Sequence, residues 1–461
     1  MPSTDTAIAA QPAGPLFDPL FDQLTAAWTA LQHAQPGLPP APQLRVALSG
    51  GLDSVVLLHL LVLLRTHLAP QLGLEAVHVH HGLLPEADAW ADFCVRCSAA
   101  WDVPCRVQRV QVARQHPGGL EAAAREARHW ALEGPDADLL VLAHHQDDQA
   151  ETVLFRILRG AGVRGAAGMA PWLPAGPGRL ARWRPLLNHS KETLRRHAQA
   201  AGLVWVEDPS NQDLHYSRNF LRQQVLPLIQ RRFPGVAGGF ARLGRLAGEA
   251  DQMLTELAQL DQAALGSAPW ARAALLALSS ARRRNLWRYQ LSRIQARLPE
   301  EDQLLEAERQ FCADAARAGV QLALGRGLLC CYREHWWWEH ARPAAATEAR
   351  VWLGEPEIAW GRGRLRFIPD PAGLPLAPGA RVEIRLRAGG ERLRLHPARP
   401  ARSLKNLYQE AGIPPWERPL LPVVWVDGVL AWVGGVGAGV CPELAEGPRW
   451  RLVWEGPNRL P

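Results

Sequence analysis

Residues 44–68 constrain this chain more than any other stretch. Leu44–Leu48 is a short apolar run, Ser49-Gly50-Gly51-Leu52-Asp53-Ser54 follows at once, and Val55–Leu68 is apolar over a length that suits a helix. A buried strand, a tight Gly-rich turn and a helix in that order open a parallel α/β sheet. Two adjacent glycines let the backbone turn sharply and approach a ligand with no Cβ in the way. The helix behind them offers free N–H groups and the positive end of its dipole, and Ser49 and Ser54 add hydroxyls. The turn is therefore a nest for phosphate. It has neither the lysine of GxxxxGK[ST] nor the spacing of GxGxxG, so a Walker loop and a dinucleotide fold are both excluded.

The alternation continues downstream. Strands are expected over Leu74–His80, Cys105–Val112 and Asp138–Ala143, and helices over Glu86–Trp101, Leu120–Leu132 and Asp148–Arg159. A first helix, Phe17–Gln35, precedes the sheet, and helices near Lys191–Ala201 and Ser217–Arg232 follow it. The fold class expected is a doubly wound, mainly parallel α/β sheet. After Phe233-Pro234-Gly235 the pattern becomes helical, over Gly239–Leu265 and Arg282–Arg297, with no strand expected between them. Beyond a Pro/Ala-rich linker at Arg342–Thr347, short β-like pieces (Arg364–Ile368, Val382–Leu386, Leu421–Val426, Val429–Val433) suggest a small α+β module. The domains expected are a tail and helix over 1–40, a nucleotide-binding domain over 41–235, a helical domain over 236–345 and the α+β module over 350–461. The Trp336-Trp337-Trp338 run is read as packing at a domain edge rather than as a base-stacking surface.

At 48% hydrophobic and 21% charged residues, the chain is globular. No long uncharged apolar run marks a membrane span, and Met1–Leu16 lacks the features of a signal peptide, so a cytoplasmic location is expected. The net charge of +6 permits a polyanionic partner. All but two of the basic residues are arginine; only Lys191 and Lys405 are lysine. The preference is the mark of GC-rich coding, and against it a retained lysine marks a position that needs lysine. Seven cysteines make an odd count, which suits a reducing compartment. Cys94 and Cys97 form a CxxC without a second pair and lie on an amphipathic helical pattern, so buried packing is favoured over metal binding.

The complete Ser49–Ser54 motif resembles the PP-loop of the ATP pyrophosphatase superfamily, whose members cleave ATP between its α and β phosphates. Further segments narrow the resemblance. Leu120-Glu121-Ala122-Ala123-Ala124-Arg125-Glu126-Ala127-Arg128, Ala143-His144-His145-Gln146-Asp147-Asp148-Gln149-Ala150-Glu151-Thr152 and Arg184-Pro185-Leu186-Leu187 are similar to signatures of the tRNA(Ile)-lysidine synthetase family. So are Asp208-Pro209-Ser210-Asn211, Ser217–Arg222 and the later Lys405–Arg418 segment. Val77–Leu83 resembles a strand-ending family segment in which His80 stands where Asp is common.

The resemblance implies two steps. The C2 oxygen of a wobble cytidine attacks ATP and pyrophosphate leaves; the ε-amine of free L-lysine then displaces AMP, leaving lysidine. The partners implied are the isoleucine tRNA with a CAU anticodon and free lysine, with ATP and Mg2+ as cofactors, and a homodimer is compatible with them. Ser49, Gly50, Gly51, Leu52, Asp53 and Ser54 are expected to hold the phosphates. Asp53, His144, Asp148, Arg218 and Arg222 are the catalytic candidates, with Asp53 and Asp148 as metal ligands. If the helix begins where the fourth strand ends, His144 and Asp148 share one of its faces. Which of His144, Asp147 and Asp148 is the base stays open. RNA binding should weaken with salt. The rivals are a cytidine thiolase, a PP-loop amide synthetase of small metabolites, and a tRNA-binding protein with an inert loop.

Overall fold

The computed structural model describes residues 18–82, 85–113, 115, 119–207, 213–294, 299–313, 319–324, 327–340 and 348–456. The Asp208–Asn211 segment, the Arg342–Thr347 linker, Leu83 and the first sixteen residues lie outside them. The chain divides into two compact units, Met1–Met253 and Leu254–Pro461. Among the described residues no helix is long and apolar enough to cross a membrane.

The first unit runs α1 (Pro19–Ala34), β1 (Gln43–Ala47), α2 (Leu52–His67), β2 (Gly73–His80), α3 (Ala87–Ala99), β3 (Cys105–Arg109), α4 (Gly119–Leu132), β4 (Leu139–Val141) and α5 (Gln146–Ile157). It continues through α6 (Val163–Ala166), β5 (Trp172–Leu173), β6 (Ala181–Trp183), α7 (Lys191–Ala200), α8 (Ser217–Phe220), a π-helical turn at Leu221–Val225, α9 (Leu226–Arg232) and α10 (Val236–Leu265). The sheet order is β3-β2-β1-β4-β6-β5. Every pairing is parallel except that of β5 with β6. This is the doubly wound sheet that the alternation predicts. β1 pairs with both β2 and β4, so the winding reverses between β1 and β4, and a crevice opens at their carboxyl ends.

The core explains why α2 carries almost no polar residue. Leu52 and every residue from Ser54 to Leu64 are buried. A helix that is apolar on all sides is one covered on all sides. It packs with β1 and β2 on one side and with α1 and α7 on the other. Arg45 on β1 is fully buried among these apolar strands, tolerated because its guanidinium pairs with Glu75 and donates to the carbonyl of Leu132 at 3.1 Å.

The second unit adds a sheet to the mainly helical middle stretch that the sequence suggests. Helices α11 (Arg272–Ala277), α12 (Ser280–Arg293) and α13 (Glu301–Cys312) are joined by β7 (Trp270–Ala271), β8 (Val320–Leu324), β9 (Gly327–Tyr332) and β10 (His335–His340). These strands form an antiparallel sheet in the order β7-β10-β9-β8. A strand thus lies between the two helical stretches where none was expected. The β9–β10 hairpin turns at Arg333 and Glu334, both with positive φ (48° and 64°). Two-residue hairpins of this kind usually announce themselves with Asn-Gly or Asp-Gly, and here that signal is missing. Trp336 is fully buried against Phe311 and Trp287, with ring centroids 4.9 and 5.5 Å away, which agrees with the packing reading.

The remainder is an α+β module. It comprises β11 (Arg350–Val351), β12 (Glu357–Trp360), β13 (Gly363–Pro375), β14 (Val382–Arg385), β15 (Arg392–Leu393), β16 (Arg402–Ser403), α14 (Leu404–Glu410), β17 (Val423–Val426), β18 (Val429–Val433), β19 (Gly437–Ala438) and β20 (Arg449–Glu455). One sheet has the order β11-β14-β17-β18-β19 and a second the order β12-β13-β20. Trp416 packs at a tilt against Trp337 (ring centroids 6.1 Å apart), and Arg418 donates to the Tyr332 hydroxyl at 3.2 Å, so the Lys405–Arg418 segment seats on the β9–β10 hairpin.

Candidate active site

Ser49–Ser54 joins β1 to α2 in the form its composition predicts. Gly50 has φ +85°, a left-handed conformation that glycine adopts without penalty. A Cβ there would lie 2.9 Å from Val206 Cγ2, 3.1 Å from Cys94 Sγ and 3.3 Å from Phe93 Cδ1. Gly51 is the N-cap of α2 and brings no capping side chain, so the first N–H groups of that helix are left for a ligand. The serines shape the loop from inside. The Ser54 hydroxyl accepts from Ser49 N–H at 3.2 Å and donates to the Gly51 carbonyl at 2.9 Å, and the two hydroxyls are 3.1 Å apart.

Asp53 sits in the first turn of α2 and faces the start of α5. There the structure departs from the sequence reading in one respect. Helix α5 begins at Gln146, with extended His145 as its N-cap, so His144 lies before the helix and does not share a face with Asp148. A capping box fixes that boundary: Asp147 N–H donates to His145 Nδ1 at 3.2 Å, and His145 N–H donates to Asp148 Oδ2 at 3.1 Å. The residue brought against the loop is His145. Its Nε2 is 3.5 Å from Asp53 Oδ2 and 3.5 Å from Asp148 Oδ2, and its Nδ1 is 3.5 Å from Asp147 Oδ2. Burial opposes a charge on this ring, but the carboxylates of Asp147, Asp53 and Asp148 outweigh it and raise its pKa to about 10. The Asp147 N–H at Nδ1 puts the first ring proton on Nε2, toward Asp53 and Asp148; a second proton, on Nδ1, exchanges that cap for the Asp147 carboxylate 3.5 Å away. Asp53 responds in kind: burial would raise its pKa, but the contact with His145, helped by Lys191 and Arg222, holds it below the usual carboxylate range.

Arg222 completes the cluster. Its guanidinium donates to Asp148 Oδ1 at 2.8 Å and to Glu151 Oε2 at 2.9 Å. It lies in the π turn, where Leu226 N–H reaches back to the Leu221 carbonyl. Pro227, one residue on, has no N–H with which to continue a regular helix. Arg218 approaches the other oxygen of Glu151 (3.9 Å) and lies over the Phe155 ring. Glu151 is buried, which raises its pKa against the pull of Arg222. His144 is held differently. Arg184, at the end of β6, donates to its Nδ1 at 3.3 Å and to the Ala170 carbonyl at 2.7 Å. Burial outweighs the attraction of Asp148, and Arg184 adds to it, so the His144 pKa falls to about 4 and the ring is neutral at physiological pH.

The crevice therefore pushes two consecutive histidines in opposite directions, His145 toward its charged form and His144 toward its neutral form. Asp53 and Asp148 meet through His145, Arg222 joins them through Asp148, and Arg218 approaches through Glu151. His145 and Glu151 were not singled out as site residues from sequence. Both lie inside the His144–Thr152 signature, but two adjacent histidines carry no capping preference that separates them.

The donor set fits a phosphate-bound cation only in part. Asp53 Oδ1 is buried with no hydrogen-bond partner, as a ligand oxygen awaiting a cation would be. Asp148 is occupied by Arg222 and by the cap. Among the described residues no group of three or more His, Cys, Asp or Glu side chains is arranged to hold a metal, so phosphate oxygens would have to complete the shell. Cys94 and Cys97 are buried in α3, with Cys94 Sγ 3.3 Å from His78 Nδ1, directly beneath Gly50. Burial pushes the Cys97 thiol up to about 12 and that of Cys94 higher still, which keeps both protonated.

Comparison with known proteins agrees with this geometry. Residues 24–229 match the PP-loop domain family, residues 271–337 the TilS substrate binding domain and residues 382–454 the TilS substrate C-terminal domain. The tRNA(Ile)-lysidine synthase of Aromatoleum aromaticum is 49% identical over 426 residues, covering 90% of this chain and 98% of that protein. The enzyme of the same name from an Azoarcus species is 46% identical over 422 residues, covering 89% and 92%. Among solved structures, a U34-tRNA thiolase of Methanococcus maripaludis aligns with a TM-score of 0.40 at 18% identity, over 49% of this chain and 80% of that one.

Proposed function

Since the chain belongs to the tRNA(Ile)-lysidine synthase family, we propose that it joins free lysine to C2 of the wobble cytidine of the CAU-anticodon isoleucine tRNA, consuming ATP to AMP and pyrophosphate. The observation that supports this best is the meeting of an open phosphate nest with a carboxylate–histidine–arginine cluster in one crevice. A cytoplasmic location follows from that substrate.

In the first step the cytidine C2 oxygen attacks the α-phosphate and the bond to pyrophosphate breaks. The N–H groups of residues 50–53 and the Ser49 hydroxyl hold the phosphates while Ser54 braces the loop, and rigid donors lower the barrier where charge develops. Mg2+, held by Asp53 together with phosphate oxygens, would neutralise charge on the triphosphate; Asp148 could join only by releasing Arg222. In the second step the lysine amine attacks C2 and AMP leaves. The attacking nitrogen must lose a proton, and His144 takes it once its Nδ1, which accepts from Arg184 at 3.3 Å, is released. Arg222 keeps Asp148 and Glu151 in place, and Asp148 with Asp53 presents negative charge to the incoming ammonium. The target atom has to leave its stack in the anticodon loop. That task falls to the substrate-binding and C-terminal modules of the second unit.

The test is incubation with ATP, Mg2+, radiolabelled lysine and unmodified isoleucine tRNA carrying CAU. Label that survives mild alkaline deacylation is expected. Asp53→Asn and His144→Ala should each abolish it while circular dichroism stays native, and normal turnover in either variant would remove its assigned role.

A further inference from the structure

Among the described residues three arginines are buried, Arg45, Arg184 and Arg272. Two of them have the carboxylate that a buried guanidinium requires: Arg45 pairs with Glu75, and Arg272 lies 3.6 Å from Glu334. Arg184 has none. Its Nε donates to the His144 imidazole at 3.3 Å and its Nη1 to the Ala170 carbonyl at 2.7 Å. Glu133, which serves the same strand, is taken by Arg182 and by the Leu180 N–H. The charges that act on Arg184 are those of Arg182, Arg125 and Arg156, all cations. Burial, with their help, pulls its pKa down to about 10, which still leaves it charged at physiological pH.

The residue is held firmly in place. Its N–H donates to the Pro171 carbonyl at 2.8 Å, and Leu186 and Leu187 just beyond it are buried. Its third nitrogen, Nη2, donates to nothing among the described residues, yet it is not sealed from solvent. A buried cation with a reachable donor and no counter-charge suits an oxyanion that arrives from outside. A carboxylate and a phosphate both answer that description, and position separates them. The sheet places β4 between β6 and β1, so Arg184 lies two strands from the phosphate nest, roughly 10 Å at about 4.8 Å per strand. His144, after β4, stands between them. The triphosphate belongs to the β1 side of that residue, and the amine substrate to the side of Arg184.

We propose that Arg184 is a specificity residue, whose guanidinium binds the α-carboxylate of free lysine. This rests on the lysine-transfer reading given above. A planar fork matches a planar carboxylate, and a carboxylate is a far stronger acceptor than an imidazole 3.3 Å away. Seating the amino acid therefore draws the guanidinium off His144 and uncovers Nδ1. The ε-ammonium gives a proton to that nitrogen, and its freed electron pair forms the bond to C2. The bond from C2 to the phosphate oxygen breaks, and its pair leaves with AMP. Arg184 keeps its own protons throughout. Recognition of the amino acid and release of the base become one event, which an amine without a carboxylate does not set off.

The full-length protein, ATP, Mg2+ and unmodified isoleucine tRNA carrying CAU decide the matter with two labelled amines, lysine and cadaverine, the diamine of the same length that lacks the carboxylate. The native protein should prefer lysine by roughly ten- to hundredfold in kcat/KM, the scale of one charge-assisted hydrogen bond. Arg184→Met, uncharged and of similar length, should lose that factor with lysine. It should use cadaverine at least as well as the native protein, because His144 Nδ1 is then uncovered, and release pyrophosphate at the native rate. Arg184→Lys should keep part of the preference. Equal use of the two amines by the native protein would overturn the proposal with no variant needed, so a variant that fails to fold cannot shelter it. A loss shared by both amines in Arg184→Met, with a raised KM for ATP, would overturn it too and assign the guanidinium to a phosphate of the nucleotide. If the native protein attached neither amine, the lysine-transfer reading would itself fall and take this inference with it.

Discussion

Replacing Gly50 by alanine perturbs the loop from beneath, and its cost can be worked from the coordinates. The backbone at Gly50 is left-handed (φ +85°), which costs an L-residue about 1–2 kcal/mol. The new Cβ would stand 2.9 Å from Val206 Cγ2 and 3.1 Å from Cys94 Sγ. Neither atom ends a long flexible chain, and Val206 is tied down because its N–H donates to the Gly50 carbonyl at 3.0 Å. Relieving that overpacking costs about 1–3 kcal/mol more. The sum is roughly 2–5 kcal/mol, a large part of the stability of an ordinary domain. Gly51→Ala is the control. Its φ is −75°, and a Cβ there would meet nothing closer than Ser49 Oγ at 3.6 Å. Thermal unfolding should shift by about 2–4 °C per kcal/mol, so Gly50→Ala should melt several degrees or more below Gly51→Ala. Equal melting temperatures for the two variants would refute the reasoning, since only the shape of the loop distinguishes them.

Two predictions concern pH. His145 has its folded pKa raised to about 10, so its contribution is fully present below the unfolded value near 6.5 and is lost as pH rises toward 10. Urea unfolding between pH 6.5 and 7.5, about a unit below the unfolded thiol pKa near 8.5, should show a decline that His145→Gln flattens; a parallel decline in both proteins would remove His145 as its source. His59 behaves in the opposite way. It is buried on α2, 3.0 Å from His197 Nε2, and its pKa is lowered to about 4 by burial, with His197 adding to the effect. Stability from its neutral form is present above pH 6.5 and is lost as pH falls toward 4, by up to about 3 kcal/mol at about 1.4 kcal/mol per pH unit. His59→Gln should therefore be less acid-sensitive than the native chain over that window, and an unchanged acid slope would count against it.

The order of elements in the first unit could be read along the chain because each signal there is local. An apolar run that ends in Ser49–Ser54 has few solutions besides strand, turn and helix. Gly50 answers to its left-handed φ and to the side chains of Val206 and Cys94 beneath it, and the burial of Cys94 and Cys97 was visible in the helical spacing of α3. The β8–β10 sheet was not legible. Its hairpin turns on Arg333 and Glu334, and its Trp336–Trp338 run shows no alternation, so the helical reading of its surroundings prevailed.

The site divides along the same line. The local sequence determined which residues could serve: a phosphate nest, two histidines, a row of carboxylates and two arginines. Which histidine faces Asp53 was decided by the start of α5, where His145 and not His144 caps the helix. The opposite pKa shifts of His144 and His145 depend on Arg184 and Asp53, which are distant in the chain. Arg222 reaches Asp148 across 74 positions of sequence, and Asp53 meets His145 across the β1–β4 crevice. Helix and turn propensity act over a few residues and are written in the sequence directly, whereas electrostatic environment is a sum over whatever the fold brings within a few ångströms. The chemistry available to this protein was in its sequence; the protonation states that put it to use belong to the tertiary structure.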